Sequence, residues 1–130
     1  MSLLEASGRQ TRLVLEGDAL ALGQLGGCTV AVGGRSGPAI GLRVETWEVK
    51  DAGFGTQPFV GTLRRVGTQL FLDDRTTLTR LRLDLAGVGG LTEMSGSLVL
   101  IEGVIVGGHV LKVVTWRGLL APGAGERPAR

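Results

Sequence analysis

The sequence predicts an all-β protein with little or no helix, and three observations lead to that prediction. The 130 residues include 23 glycines and only four prolines. The glycines separate short runs that are rich in Val, Leu and Thr. Helical periodicity is nearly absent from these runs. With 43% hydrophobic residues, the chain also has enough apolar material to form a core of its own.

Eight strands are expected, and each of them is bounded by turn residues. They are Thr11 to Glu16, Cys28 to Val32, Ile40 to Val49, Phe59 to Arg65, Gln69 to Leu72, Leu78 to Leu85, Ser97 to Val106 and His109 to Leu120. The segment from Ala86 to Met94 is expected to form a short helix or a loop. From Ala121 onwards, proline, glycine and charge occur without an apolar partner, so residues 121–130 are predicted to be a disordered tail.

The two halves of the chain share a pattern at a spacing of 69 positions, which aligns Gly27 to Trp47 with Gly96 to Trp116 without a gap. The identical pairs are Gly27 with Gly96, Val30 with Val99, Gly34 with Gly103, Leu42 with Leu111, Val44 with Val113, Thr46 with Thr115 and Trp47 with Trp116. A looser match through the preceding strands pairs Gln10 with Gln69. We therefore predict a tandem duplication, with a first β repeat at 2–50, a linker at 51–58 and a second β repeat at 59–120.

The second repeat contains two strands that form a hairpin, a third strand, a segment without strand character and two final strands. This order resembles the OB-fold, a small five-stranded Greek-key barrel. Gly61 and Gly103 stand where the long strands of such a barrel bend. The resemblance implies a duplicated pair of OB-like barrels. An incomplete first barrel, or one joint β-barrel or sandwich, is the alternative, because the first repeat has only about fifty residues.

Enzymatic activity, a metal site and a cofactor are not expected. His109 is the only histidine, and its glycine-rich surroundings are typical of a turn. Metal sites need clustered His, Cys or carboxylate ligands, whereas the one dense acidic pair, Asp73 and Asp74, is typical of a polar turn. The single cysteine, Cys28, excludes an intramolecular disulfide.

Membrane insertion and export are not expected either. The longest apolar stretch, Ser97 to Leu111, is interrupted by Glu102 and His109, and it is shorter than the ~20 residues that a spanning helix needs. Glu5 directly follows two leucines, so the apolar core of a secretory signal is missing. A cytoplasmic location is therefore predicted. The net charge of +2 indicates a weak basic bias rather than a polycationic surface.

Glu102 lies within the apolar run LVLIEGVIV. A buried carboxylate with a raised pKa would indicate a functional group. The adjacent Gly103 is instead expected to mark a β-bulge that turns Glu102 towards solvent.

The duplicated tryptophans are expected to lie outside the core. Strict alternation places Trp47 on the face opposite Val44, and the copy places Trp116 in the same way. Each ring then follows a cation, Arg43 or Lys112, by four residues. Such rings can pack the two halves or two subunits together, or they can stack on bases. A bulge that turns the rings into the core is the third interpretation.

Arginines concentrate in the second repeat. Alternation in LTRLRLDL projects Arg80 and Arg82 outwards, while Arg64 and Arg65 straddle both faces near a hairpin turn. In OB-folds the second and third strands form the ligand face, so the resemblance places these arginines where phosphate contacts are expected. A solvated charged face is the alternative.

Three functional hypotheses follow from these patterns. The first is a non-enzymatic binding or assembly module that acts through self-association, as a homo-oligomer, or through a protein partner. The second is single-stranded nucleic-acid binding by the arginines, with tryptophan stacking. The third is a carrier of an apolar small ligand. The candidate binding residues, for nucleic acid or a partner, are Arg64, Arg65, Arg80, Arg82, Arg43, Trp47, Lys112 and Trp116.

Overall fold

The structure is a computed structural model that describes residues 2–5, 7–37, 41–53, 55–85 and 87–122. The strands of these residues are β1 (Ser2–Leu4), β2 (Gln10–Val14), β3 (Thr29–Gly37), β4 (Gly41–Asp51), β5 (Gln57–Val66), β6 (Gln69–Asp74), β7 (Arg80–Asp84), β8 (Leu98–Val106) and β9 (Val110–Leu120). Two short 3-10 helices accompany them, η1 (Gly17–Gln24) and η2 (Leu91–Met94). The all-β prediction is therefore confirmed. The prediction did not include β1 and η1.

The second half of the chain forms a closed barrel. Its strands follow the order β5-β6-β7-β9-β8, and β8 pairs back onto β5. All neighbours are antiparallel except β7 and β9, which are parallel. The helix η2 lies in the connection between β7 and β8. Fully buried side chains fill the interior of this barrel, namely Leu63, Leu72, Leu91, Val99, Ile101 and Leu111.

Two glycines allow close approach of the barrel strands. At Gly61 an added Cβ would overlap the carbonyl oxygen of Asp73 on β6, and at Gly103 it would overlap that of Lys112 on β9. Only a residue without a side chain fits at such a distance from a neighbouring backbone.

The first half forms an open, four-stranded sheet with the order β1-β2-β4-β3. The strands β2 and β4 are parallel, and the other pairs are antiparallel. This arrangement matches β6, β7, β9 and β8 of the barrel, with η1 in the place of η2. The strand β2 therefore corresponds to β7, whereas the looser sequence match of Gln10 with Gln69 wrongly paired it with β6. Among the described residues, no strand of the first half takes the position of β5.

The two antiparallel ladders, β3–β4 and β8–β9, have the same register. Each Cα pair of the first ladder has a counterpart 69 positions later in the second. For example, Val32 pairs with Trp47, and Ile101 pairs with Trp116. Both ladders also shift their register at two equivalent places.

A β-bulge turns the tryptophans inward. In the first ladder, Gly33 pairs with Thr46 but Gly34 pairs with Val44, so that Glu45 is an extra residue. An extra residue reverses the alternation of a strand, and Trp47 therefore lies on the same face as Val44, with both side chains buried. The same shift precedes the second tryptophan in β9. The predicted outward tryptophan is thus wrong, and the bulge interpretation describes the structure.

The sheet and the barrel share one apolar core. The inner face of the first sheet, with η1, contributes Leu13, Ala19, Ala21, Leu22, Leu25, Val44, Trp47, Val49 and Ala52. The outer face of the barrel contributes Val60 of β5, Leu100 of β8 and Leu119 of β9. The outer face of the barrel therefore packs against the inner face of the first sheet, and one apolar core joins both halves.

Glu102 lies on this covered face and is buried, with 1% of its surface exposed. The predicted irregularity beside Gly103 is present, but its extra residue, Val114, belongs to β9. Glu102 therefore keeps the same face as Leu100, which packs against the first half. The prediction that Glu102 faces solvent is wrong because the other half of the chain covers that side of β8.

Some predicted segments lie partly outside the described residues. These are residues 123–130 of the tail, Ile40 in a predicted strand, Phe54 in the predicted linker, and Ala86 in the predicted helix or loop. In the described ranges, neither helix has the length and apolar character needed to cross a membrane.

Candidate nucleic-acid interface on the barrel

The outer face of β5, β6 and β7 carries an aromatic ring between two arginines, and we call it the arginine face. In β6, Leu70 and Leu72 point into the barrel and are buried, while Phe71 between them is half-buried on the outer side. Phe71 pairs with Arg64 of β5 and with Arg82 of β7. Side chains directly opposite one another in a sheet are close neighbours. The row Arg64–Phe71–Arg82 therefore crosses three strands.

A second row holds the carboxylate of Asp73, which pairs with Thr62 on β5 and with Arg80 on β7. Arg80 Nε donates a hydrogen bond of 2.8 Å to Asp73 Oδ1, and Arg64 Nε donates one of 3.2 Å to Oδ2. The pKa of Asp73 is lowered, first by the hydrogen bond from Arg80 and then, against the opposing effect of partial burial, by that from Arg64. Asp73 thus orients two of the cations and reduces their combined charge.

Arg80 also contacts the aromatic ring of this face. Its Cζ lies 5.8 Å from the centroid of the Phe71 ring, which is within the range of a cation–π interaction. Cations therefore lie on several sides of the exposed part of Phe71.

Arg65 and Arg82 have more of their charge available. Arg65 Nε donates to the carbonyl oxygen of Gly67 at 3.2 Å, and the two terminal nitrogens have no partner in the described part of the chain. The guanidinium of Arg82 forms neither an ion pair nor a hydrogen bond within the described residues. Among the four arginines Arg64, Arg65, Arg80 and Arg82, these two are therefore the least neutralised.

Arg43 and Lys112 lie apart from the row that contains Phe71. Arg43 belongs to β4 of the first sheet, where its Nη1 forms an ion pair of 2.9 Å with Glu16 Oε1. Lys112 is exposed on β9, in register with Asp84 of β7. The structure thus brings together four of the eight predicted residues around Phe71 or beside it, namely Arg64, Arg65, Arg80 and Arg82.

Trp47 is part of a junction between the two halves. Its Nε1 donates to Asp18 Oδ1 of η1 at 3.2 Å. Arg75, from the turn after β6, lies over the ring with its Cζ 4.0 Å from the centroid. Arg75 also donates to the Trp47 carbonyl oxygen at 3.0 Å and to Asp18 Oδ2 at 2.8 Å. With 5% of its surface exposed, Trp47 offers no ring face to a base.

Trp116 makes the equivalent contact in the second half. Its Nε1 donates to the carbonyl oxygen of Gly89 at 3.0 Å, directly before η2. Its ring packs on Gly90, where an added Cβ would lie 3.1 Å from Cζ2. Trp47 therefore anchors η1, which follows β2, and Trp116 anchors the segment between β7 and η2.

Sequence reasoning missed Phe71, although the signal was present. In QLFLDD the alternation that buries Leu70 and Leu72 also projects Phe71 outwards, together with Gln69 and Asp73. The roles of Asp18 and Arg75 depend on a contact across 57 positions, and no local pattern predicts it.

A metal site has no support in the described ranges, which hold no group of three or more His, Cys, Asp and Glu side chains that could bind a metal ion. Comparisons with protein-family models, curated proteins and solved structures find no match for this chain.

Proposed function

We propose that this protein is a non-enzymatic binding module that binds single-stranded nucleic acid on the arginine face. The row Arg64–Phe71–Arg82 is the observation that carries the proposal. A base can stack on the exposed part of the Phe71 ring, and the flanking guanidinium groups can neutralise the phosphates on either side. This combination of a stacking platform and a cationic track binds strands with little sequence preference.

The barrel supports an OB-like assignment. It has five strands, it closes, and a short helix connects its third and fourth strands. In OB-folds the second and third strands carry the ligand face. Here those strands are β6 and β7, which carry Phe71, Arg80 and Arg82.

The equal registers of the two ladders support an origin of the chain by tandem duplication. The copies then differ at the arginine face. Among its described residues, the first half has neither a strand in the place of β5 nor, in β1, an aromatic residue equivalent to Phe71. We therefore assign nucleic-acid binding to the second half. The first half covers the opposite side of the barrel through Val60, Leu100 and Leu119.

The expected affinity is modest and depends on salt. The net charge is only +2, and Asp73 already holds Arg64 and Arg80. If about three arginines contact phosphates, the logarithm of the association constant should fall with the logarithm of salt concentration with a slope of about −2, since each single-strand phosphate contact contributes about −0.7.

Self-association is the second candidate function, and one surface favours it. Val104, Val106 and Val114 of the β8–β9 hairpin are each about half exposed, at 51%, 51% and 50%. In the first half the equivalent positions of Val104 and Val114 carry Arg35 and Glu45, which form an ion pair of 3.3 Å. The second half thus has apolar surface where its counterpart is polar, and such a patch can bind a second copy. Light scattering at high protein concentration tests this candidate, and a strictly monomeric particle would exclude it.

Assembly through the tryptophans and transport of an apolar ligand have less support. Assembly through the tryptophan faces needs exposed rings, whereas Trp47 is buried and Trp116 packs on Gly90. An apolar ligand would need space inside the barrel, where leucine, valine and isoleucine side chains are packed together.

Fluorescence anisotropy with a labelled oligothymidylate of about 12 nucleotides, within the site sizes that OB-folds occupy, tests the proposed function. The wild-type protein should bind at low salt. Phe71→Ala should weaken binding by roughly 5- to 150-fold, because one stacked base contributes about 1–3 kcal/mol. Arg82→Gln should reduce the salt slope by about 0.7.

The matched control is Arg35→Gln, which removes an exposed arginine from the first half and should leave binding unchanged. Because Phe71 is half-buried, Phe71→Leu serves as a second variant that keeps apolar volume but loses the ring. Wild-type protein that binds no oligonucleotide at low salt would contradict the proposal. Folded Phe71→Ala and Phe71→Leu proteins that bind as well as wild type would contradict it too.

A further inference from the structure

A pocket of about 240 Å³ lies where the β5–β6 turn, β7 and η2 meet. Two arginines, Arg65 and Arg82, line this pocket together with the polar side chains of Thr68, Gln69 and Thr92. Arg65 and Arg82 come from different strands, and among Arg64, Arg65, Arg80 and Arg82 they are the two that form no ion pair within the described residues. The pocket is therefore bordered by two arginines and by residues that carry neutral hydrogen-bond donors.

The charge in this pocket is not cancelled by its own lining. None of the described side chains that line it is a carboxylate. Arg64 and Arg80, by contrast, both bind Asp73 outside the pocket. Arg65 and Arg82 both border the concavity, and an anion bound there would interact favourably with both positive charges.

The donor set indicates which anion fits. Guanidinium groups present planar forks of N–H donors that match the oxygens of phosphate. The hydroxyls of Thr68 and Thr92 and the amide of Gln69 can donate further hydrogen bonds. Leucine side chains also line the pocket, including the buried Leu70 and Leu83. They offer an apolar surface to the group that carries the phosphate.

We infer that this pocket binds a phosphate group, in the form of a phosphomonoester. Arg82 belongs both to this pocket and to the row that contains Phe71. A strand that stacks on Phe71 can therefore place a terminal phosphate beside Arg82. The pocket itself stands independently of the proposed function, whereas the assignment of its phosphate to the end of a nucleic-acid strand rests on that function.

The first experiment uses pyrophosphate as the probe and follows the Nε–Hε resonances of the arginines in 15N-labelled protein. Saturable shifts are expected for Arg65 and Arg82, and Arg35 on the first sheet serves as the internal control. The Arg65→Gln, Arg82→Gln double variant should abolish saturable binding, and Arg65→Lys should weaken it by several-fold. Equal shifts at Arg35, or no shift at Arg65 and Arg82, would overturn the inference.

The second experiment compares oligothymidylates with a 5′-phosphate, a 3′-phosphate or no terminal phosphate. One terminal phosphate should tighten binding to wild-type protein at least five-fold, and Arg65→Gln should bring the ratio of the affinities for phosphorylated and unphosphorylated strands close to one. If pyrophosphate binds but no oligonucleotide does, the proposed function fails and the phosphate pocket remains. If oligonucleotides bind but pyrophosphate shifts neither Arg65 nor Arg82, the pocket fails and the proposed function remains. If both bind and a terminal phosphate adds nothing, the assignment to a strand end is overturned.

Discussion

The guanidinium of Arg75 lies over the indole of Trp47, with 4.0 Å between its Cζ and the ring centroid. Arg75 comes from the barrel and Trp47 from the first sheet, so this contact crosses the boundary between the two halves. Asp18 receives hydrogen bonds from both side chains. A planar cation, an aromatic ring and a carboxylate therefore close the edge of the shared apolar core.

Replacement of Arg75 should destabilise the fold. Arg75→Ala removes a cation–π contact of about 0.5–2 kcal/mol and the hydrogen bonds to Asp18 and to the Trp47 carbonyl group, so the free energy of unfolding should fall by about 1–3 kcal/mol. Arg75→Lys keeps the charge but not the planar stacking. Its free energy of unfolding should therefore lie between those of Arg75→Ala and the wild type. Urea unfolding at pH 7 measures both variants. An Arg75→Ala protein as stable as wild type would show that the contact does not hold the halves together.

Replacement of either tryptophan by phenylalanine should lower the stability of the protein. Trp47→Phe and Trp116→Phe each keep an aromatic ring but remove the indole N–H that binds Asp18 or Gly89. Each should lower the free energy of unfolding by about 1 kcal/mol, and the loss should be larger at Trp47, because its acceptor is charged. Chemical denaturation of both variants measures the difference. The equivalence of the two positions would be refuted if only one variant lost stability.

Two equivalent glycines should be indispensable. A Cβ at Gly34 would overlap the carbonyl oxygen of Arg43, and one at Gly103 would overlap that of Lys112. We expect Gly34→Ala and Gly103→Ala to destabilise the protein by at least about 2 kcal/mol, because the backbone must move to make room. Gly26→Ala is the control, since a Cβ at that position would have no atom of the other described residues within 4 Å, apart from its two chain neighbours. Thermal unfolding ranks the three variants, and a Gly103→Ala protein that melts like the control would contradict the tight approach.

Asp73 should make stability depend on acidity. Since Arg80 and Arg64 hold the pKa of Asp73 below its ordinary value of 3.8, the ionised carboxylate stabilises the folded state above that pH. This contribution is lost as the pH falls from 3.8 towards the lower folded pKa, and Asp73→Asn should lack this part of the acid dependence. Carboxyl 13C titration should show a midpoint below 3.8 that rises in Arg80→Gln. An unchanged midpoint in that variant would contradict the hydrogen-bond cause.

The same carboxylate should limit nucleic-acid binding. Asp73→Asn removes the negative charge that holds Arg64 and Arg80, so both arginines become available to phosphates. Oligothymidylate should then bind more tightly and with a steeper salt slope, by about −0.7 for each additional phosphate contact. Anisotropy titrations at several salt concentrations measure both effects. A weaker complex would indicate that Asp73 contributes to the site rather than restrains it.

Much of the fold was predictable because alternation and glycine spacing act within single strands. The last strand, for example, was expected from His109 to Leu120 and spans Val110–Leu120. The strand β1 escaped prediction because three residues are too few to show a period. The helix η1 escaped as well, because a 3-10 segment that begins with Gly17 and includes Gly23 resembles a loop in sequence.

Side-chain directions were less predictable, for reasons that lie beyond one strand. Alternation assumes an uninterrupted strand, and no residue type around Glu45 marks the bulge that turns Trp47 inward. The exposure of Glu102 depends on whether another part of the chain covers β8, which is a long-range property. Phe71 differs from these cases, because uninterrupted alternation in β6 does predict its direction.

Backbone amide mapping by NMR tests the arginine face most directly. When 15N-labelled protein is titrated with oligothymidylate at low salt, the largest shifts should occur at Arg64, Phe71 and Arg82 and their neighbours on β5, β6 and β7, while the first sheet should stay nearly unchanged. Shifts centred on the first sheet, or no shifts at all, would contradict nucleic-acid binding on this face.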